Sequence, residues 1–402
     1  MIFPGQYTSK KRFFPLGFYI ASTILRNNGF EVVCLDLTFY KDSKSTVLSH
    51  IHNINPDLIG FSICSSYNFK YALELIKELH LAQQYTIILG GQHMRPPTQR
   101  KNELYSAVEG DLEKVSFFYD RNLSSYYIES VDYSLIPNSY TNNYYPSVEV
   151  SRGCWNCCNF CNSDIRYIEK DIKRIENELY ALTNIYPHGT LLTLAGSNHL
   201  FRNWRKNGLM DILRNYSNYF RLNFNLGIES GWEYEWENIL KLNIWNIFVG
   251  IESCDVNTLF RMKKTKNPKL YIEKASDFLS RCKKEGVYTF ASYIYGYPGH
   301  TIKDIDKLDK FMLKYSCDNI VQIGFPCEAY PGTELLLNRK LYEQQGIMYN
   351  KVYDGYDIEY YCMDISQELK YDFLLKRSSL FQDMINTKDV YALNRCKGKD
   401  LY

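Results

Sequence analysis

Between Pro15 and about Asn122 the apolar positions alternate between a helical period and short continuous runs. "PLGFYIASTILRNNG" has helical periodicity and a glycine stop at Gly29. The runs "EVVCLDL", "DLIGFSI" and "YTIILGG" read as strands, and "NFKYALELIKELHLAQQ" between the last two reads as an amphipathic helix. "YSAVEGD" and "LEKVSFFYDR" add one more strand and helix. Short apolar strands alternating with helices predict a parallel sheet covered on both faces, a doubly wound α/β domain. Ligands of such sheets sit beyond the carboxyl ends of the strands. Those ends carry Ser62, Ser65 and Ser66, then Gly90, Gly91 and Gln92, then Glu109 and Gly110.

From about residue 123 to 146 the chain turns polar and rich in Tyr, Asn and Ser, the composition of a linker. A second βα series starts at Ser147 with "SVEVS", and "IRYIEKDIKRIENELYALTNIY" reads as a long helix. Five further strands follow: "TLLTLAG", "RLNFNLGIE", "NIFVGIES", "VYTFASYIYG" and "NIVQIGFPCEAY". Six βα units are too few for a closed eight-stranded barrel, so a laterally open, partial (β/α)6 barrel is expected over 147–340, with its site at the C-terminal strand ends. The domains are therefore 1–122, a linker at 123–146, the barrel at 147–340, and a short, mainly helical C-terminal segment at 341–402.

Charge narrows the function. Lys and Arg number 47 against 45 Asp and Glu, a net charge of +2. That balance offers no general attraction to nucleic acid or an anionic membrane. No apolar run reaches the roughly 18–20 residues of a membrane span, and "MIFPGQYTSKKRFF" lacks a signal-peptide core, so the cytoplasm is the expected location. Thiols stay reduced there, and clustered cysteines are ligands or catalysts rather than disulfide partners. The 36 tyrosines read as compositional drift.

Four of the 12 cysteines fall within "SRGCWNCCNFCN". Cys154, Cys158 and Cys161 form C-x3-C-x2-C. Three thiolates suit three irons of a [4Fe-4S] cubane, and the fourth iron keeps an open position for a chelating amine and carboxylate. The alternative is a zinc site using Cys157 as well. Its two C-x2-C pairs abut at Cys157–Cys158, which strains convergence on one ion.

The loop and its setting ("SVEVSRGC", "VGIES", "SYIYGYPG", "AYPGTEL") resemble the radical S-adenosylmethionine (SAM) superfamily, over roughly residues 147–340. The resemblance implies that Cys154, Cys158 and Cys161 hold the cluster and that SAM chelates the fourth iron. It implies adenine contacts from Phe160 and from the Tyr293 to Tyr295 segment, and a SAM contact from Glu252 with Ser253. Glu229, in the first of two Gly-Ile-Glu-Ser runs, is a further catalytic or substrate candidate. The second strand departs from the family, reading "LAGSNHL" in place of an acidic end. Asn198 and His199 there are either contacts to substrate or SAM, or structural residues. The implied chemistry is reductive cleavage of SAM to a 5′-deoxyadenosyl radical, fed by an external electron donor such as flavodoxin or ferredoxin.

Residues 13–120 resemble the cobalamin-binding domain that precedes the radical SAM core in one large class, through "PLGFYIASTILRNNGFEVVCLD", "PDLIGFSI", "IILGGQH" and "VEGDLE". That assigns Ser62, Ser65, Ser66, Gly90, Gly91, Gln92, Glu109 and Gly110 to cobalamin. No D-x-H-x-x-G stretch supplies a histidine to cobalt, and the first strand is short; a domain that keeps the fold without cobalamin is the other reading. The class most often methylates unactivated carbon of a small molecule or peptide, and some members rearrange or cyclise instead. Cys327 and Cys362 are either extra catalytic thiols or buried spectators. A zinc or Fe–S binding module without turnover is the reading from outside enzymes.

Overall fold

The computed structural model describes residues 1–4, 12–38, 44–63, 66–82, 84–91, 94, 105–107, 130–136, 144–154, 156–163, 167–196, 208–351 and 361–387. They form two compact units, the first built on Met1–Val150 and Ile168–Leu192, the second on Ser151–Tyr167, Thr193–Val352 and Tyr361–Tyr402. Among the described residues no helix is long and apolar enough to cross a membrane.

The first unit contains strands β1 (Ile2–Phe3), β2 (Leu35–Asp36), β3 (Leu58–Ser62), β4 (Thr86–Gly90) and β5 (Ser106–Ala107). They lie in the order β2-β1-β3-β4-β5, and every pairing is parallel. Helix α1 (Leu16–Asn27) buries Phe18, Tyr19 and Ile24 with Phe3, Val131 and Tyr144. Helices α2 (Lys44–Ile54) and α3 (Ser66–Ala82) bury Val47, Ile51, Phe69 and Leu75 in a separate cluster with Ile2, Phe61 and Leu89. The sheet is thus covered on both faces, as the strand pattern requires. Order 2-1-3-4-5 makes the crevice between the ends of β1 and β3 the natural ligand site.

The second sheet has six strands: β6 (Ser147–Glu149), β7 (Leu191–Ala195), β8 (Arg221–Leu226), β9 (Ile244–Glu252), β10 (Thr289–Tyr295) and β11 (Ile320–Pro326). Their order is β11-β10-β9-β8-β7-β6, with β8 through β11 parallel, and the boundary between the units falls inside β7. Helix α4 (Ile172–Ile185) is shorter than its apolar pattern suggests. Asp171 accepts hydrogen bonds from the Lys173 and Arg174 amides and starts the helix there. Helices α5 (Leu209–Ser217), α6 (Pro268–Glu285) and α7 (Ile302–Tyr315) follow β7, β9 and β10. Asn246 Nδ2 donates to Asn223 Oδ1 (3.2 Å), and Asn223 Nδ2 to Thr193 Oγ1 (3.3 Å), so an amide chain crosses three strands.

Beyond β11 the C-terminal segment is less helical than its pattern implies. Strands β12 (Glu328–Ala329), β13 (Met348–Lys351) and β14 (Tyr361–Asp364) form an antiparallel sheet in the order β12-β14-β13. Helix α8 (Tyr371–Thr387) then lies along the free edge of β11. Ser378 Oγ donates to the Gly324 carbonyl, and Gln382 Nε2 to the Gln322 carbonyl. Those bonds occupy edge carbonyls that would otherwise be open for pairing.

Candidate active site

The cysteine loop leaves the strand at Ser151–Arg152 and makes a tight turn, in which the Cys161 amide bonds the Cys158 carbonyl at 3.1 Å. Asn159 anchors that turn and is only 4 % exposed. Its amide donates to the Met262 carbonyl (3.1 Å), its carbonyl accepts from the Leu335 amide (3.1 Å), and its Nδ2 donates to the Arg261 carbonyl (2.8 Å). Its Oδ1 accepts from Tyr297 Oη at 2.8 Å. All four polar groups of one residue therefore tie the loop to the segments that follow β9, β10 and β11. The sequence offered no sign of this beyond an asparagine between two candidate ligands.

The thiols fit a cluster of soft metal ions. Burial pushes the Cys154 thiol up, and pushes Cys158 up to about 12 against the opposing pull of Lys264. Such sulfurs become thiolates when a cation neutralises them. Cys161 is exposed, with its sulfur 3.4 Å from the Ser163 amide and 3.2 Å from Ser163 Oγ. A backbone N–H aimed at sulfur is a contact that tunes Fe–S ligands. Cys157 is exposed. Among the described residues no three His, Cys, Asp or Glu side chains converge as the ligands of one metal ion. A cubane asks for something different, one thiolate at each of three separate irons.

Beside the loop, Glu252 and Lys264 form a buried ion pair at 2.9 Å. Glu252 ends β9 with φ 68°, a left-handed backbone that turns its carboxylate back over the strand. Gly250 makes room for it: a Cβ there would lie 2.3 Å from Glu252 Oε1. Burial opposes the Lys264 charge, but the Glu252 carboxylate prevails and holds the ammonium pKa well above its usual value. Lys264 Nζ also sits 5.9 Å from the centre of the half-buried Phe160 ring. The Ser253 hydroxyl accepts from the Asp255 amide at 3.1 Å and is buried. Glu229 Oε1 accepts from Thr265 Oγ1 at 2.7 Å, so consecutive residues, Lys264 and Thr265, hold the glutamates of both Gly-Ile-Glu-Ser runs.

Tyr293 and Tyr295 are not brought into this group through their side chains. Both rings are fully buried; the Tyr293 hydroxyl bonds Gln322 Oε1 and the Tyr295 hydroxyl bonds Asp309 Oδ1 on α7. Alternation along β10 turns both rings toward the helix layer, leaving Ser292, Ile294 and the backbone on the barrel side. Cys327 is buried, with its thiol pushed up by that burial, and Cys362 is half-buried on β14.

In the first unit, Ser62 ends β3 and Gly90 ends β4, paired side by side. A Cβ on Gly90 would meet nothing within 4 Å, so the strand end is open there. At Gly91, with φ 115°, a Cβ would lie 2.3 Å from the Ile63 carbonyl oxygen, and only glycine allows that approach. Ser66 begins α3. Asp36 at the end of β2 was missed by sequence reasoning: it is 2 % exposed and accepts from Tyr144 Oη, Tyr19 Oη and the Thr38 amide. Burial nevertheless keeps its pKa above the usual carboxylate value. Ser65, Gln92, Glu109, Gly110, Asn198 and His199 lie outside the described residues.

Residues 7–115 match the family model of the B12 binding domain. Most of the chain shares its fold with solved cobalamin-dependent radical SAM enzymes. The methyltransferase TsrM from Kitasatospora setae, with cobalamin and a [4Fe-4S] cluster bound, superposes with a TM-score of 0.67 at 16% identity, covering 89% of this chain and 81% of that one. A second TsrM structure, holding tryptophan substrate and the SAM analogue aza-SAM, gives 0.64 at 15% identity, over 89% of this chain and 79% of that one. The cobalamin-dependent SAM radical enzyme OxsB with aqua-cobalamin gives 0.70 at 13% identity, over 95% of this chain and 66% of that one. At such identities the likeness is one of fold. No curated protein matches the chain by sequence.

Proposed function

We propose that this chain, a B12-binding domain followed by a partial parallel barrel of the cobalamin-dependent radical SAM fold, is an enzyme that methylates an unactivated carbon of a small molecule or peptide. The observation that carries the reading is the three-cysteine loop, pinned through Asn159 to the segments that follow three barrel strands. Cys154, Cys158 and Cys161 hold a [4Fe-4S] cluster, with electrons from a flavodoxin- or ferredoxin-like donor. When bound, the cluster and SAM supply radical chemistry and cobalamin carries the methyl group.

The chain's own residues bind and orient. Phe160 offers a ring for the adenine beside Cys161. Glu252 is held rigid by Lys264 and presents a fixed acceptor to SAM, while the backbone of the Tyr293 to Gly296 segment completes that wall. Gly90 and Ser62, at adjoining strand ends, leave space and a hydroxyl for cobalamin.

Anaerobic reconstitution tests the reading. The expected outcome is about four irons and sulfides per chain and a corrinoid that survives gel filtration after hydroxocobalamin loading. Cys158→Ala should abolish the cluster, and Cys157→Ala should keep it. Bound zinc with no iron and no visible charge-transfer band would sink the proposal. Trideuteromethyl-labelled SAM then decides the chemistry: label in a product supports methylation. 5′-Deoxyadenosine without label transfer assigns a rearrangement or cyclisation instead.

A further inference from the structure

The two Gly-Ile-Glu-Ser runs have one local sequence and two electrostatic fates. Strand β8 ends at Leu226, opposite Val249, and the chain then turns, with the Ser230 amide on the Gly227 carbonyl; in that turn Glu229 reaches Thr265, the residue after the Lys264 that holds Glu252. Glu252 is 9 % exposed and neutralised by Lys264. Glu229 is exposed, and its one described partner is the neutral Thr265 hydroxyl on Oε1. Among the described residues no cation is paired with Glu229. Of the two carboxylates, one is therefore cancelled and one is not.

The facing wall is uncharged. Gln322 points at α7, where its Nε2 donates to the Met312 carbonyl, so the alternate residues Ile323 and Phe325 face the barrel side. Ile294 pairs with Phe325, one position from the pairing of Glu252 with Tyr293, which sets Phe325 at the same rim level. Phe325 is 48 % exposed, an apolar ring left open at the strand ends where barrel enzymes bind substrate. An anion in the turn that follows β8 and an open aromatic ring near the end of β11 suit a ligand with a cationic head and an apolar body.

We infer that Glu229 selects the substrate: an organic cation, a primary amine or an amidine-type group, whose apolar part lies against Ile294 and Phe325. This deepens the radical SAM reading and rests on it for the identity of the site. Glu252, on the neighbouring strand beside Lys264 and Phe160, remains the SAM-side carboxylate, and Thr265 fixes the orientation of Glu229.

Binding of a matched pair tests this without turnover. Phenethylamine and 2-phenylethanol are titrated at pH 7 into the reconstituted protein with S-adenosylhomocysteine present, and the affinities are read by ligand-observed NMR. The amine is expected to bind about tenfold more tightly, the scale of a charge-assisted hydrogen bond. Glu229→Gln should erase that preference while keeping wild-type iron content and wild-type affinity for S-adenosylhomocysteine. Glu252→Gln should weaken S-adenosylhomocysteine binding and keep both the iron content and the preference for the amine. Equal binding of the pair, or a preference that survives Glu229→Gln, overturns the inference. So does a Glu229→Gln protein that loses S-adenosylhomocysteine instead, since the carboxylate would then belong to the SAM side. Failure of the radical SAM reading would show separately, as wild-type protein that takes up no iron.

Discussion

Tyr297 donates a 2.8 Å hydrogen bond to Asn159 Oδ1, linking the turn after β10 to the residue between Cys158 and Phe160. The same hydroxyl lies 3.1 Å from the Arg261 carbonyl, which also accepts from Asn159 Nδ2. The cysteine loop, the segment after β9 and the β10 turn thus share one buried polar junction.

Tyr297→Phe leaves the buried Asn159 oxygen without a donor, a loss of about 1–3 kcal/mol. Urea unfolding of the cluster-free protein should show it. The reconstituted variant should release iron faster than wild type, whereas unchanged iron retention would mean the junction does not hold the loop.

Lys264→Met strands the Glu252 carboxylate in a buried site. Breaking such a pair costs about 3–5 kcal/mol. Adding Glu252→Gln to Lys264→Met removes the uncompensated charge and should recover more than half of that loss. Gly250→Ala should mimic the single variant in part, because its methyl group would displace the carboxylate from Lys264. A double-mutant cycle by chemical denaturation measures both effects.

Arg377 on α8 bonds Asp309 (2.5 and 2.9 Å) and Asp306 (2.6 Å) on α7. The Asp309–Tyr295 bond extends the network to β10. Arg377→Met leaves Asp309 buried beside a phenol, and Arg377→Lys cannot reproduce the fork of contacts. Both variants should lose hydrogen-exchange protection across Tyr371–Thr387. The methionine variant should lose more stability, again about 3–5 kcal/mol.

His300 follows the β10 turn, 5 % exposed, with Nδ1 accepting from the Tyr297 amide at 3.2 Å. Burial lowers its pKa from 6.5 to about 4. The unfolded chain therefore binds the proton first, and stability present above pH 6.5 drains away as pH falls toward 4. The difference corresponds to about 3 kcal/mol. Comparing wild type with His300→Gln between pH 7 and pH 4 isolates it: the wild type should fall more steeply, and parallel curves would show that His300 does not titrate in this window.

Local sequence determined a good deal of this protein. Strand-length apolar runs alternating with amphipathic helices specify parallel sheets, and thiol spacing within eight residues is a property of one loop that needs no partner. Gly91 was legible as a glycine at a strand end, but the Ile63 carbonyl that a side chain there would strike was not. What the tertiary structure alone decided was which equivalent residues differ. Glu229 and Glu252 sit in identical tetrapeptides, yet one is buried against Lys264 and the other stands exposed beside Thr265, because charge pairing depends on which strand end a distant segment reaches. The family resemblance implied adenine contacts from the segment of Tyr293 and Tyr295. With side chains alternating every residue, the sheet's placement between barrel and helix layer turned both rings toward α7. Asn159 has no motif at all; its importance comes from three segments that the fold gathers around it.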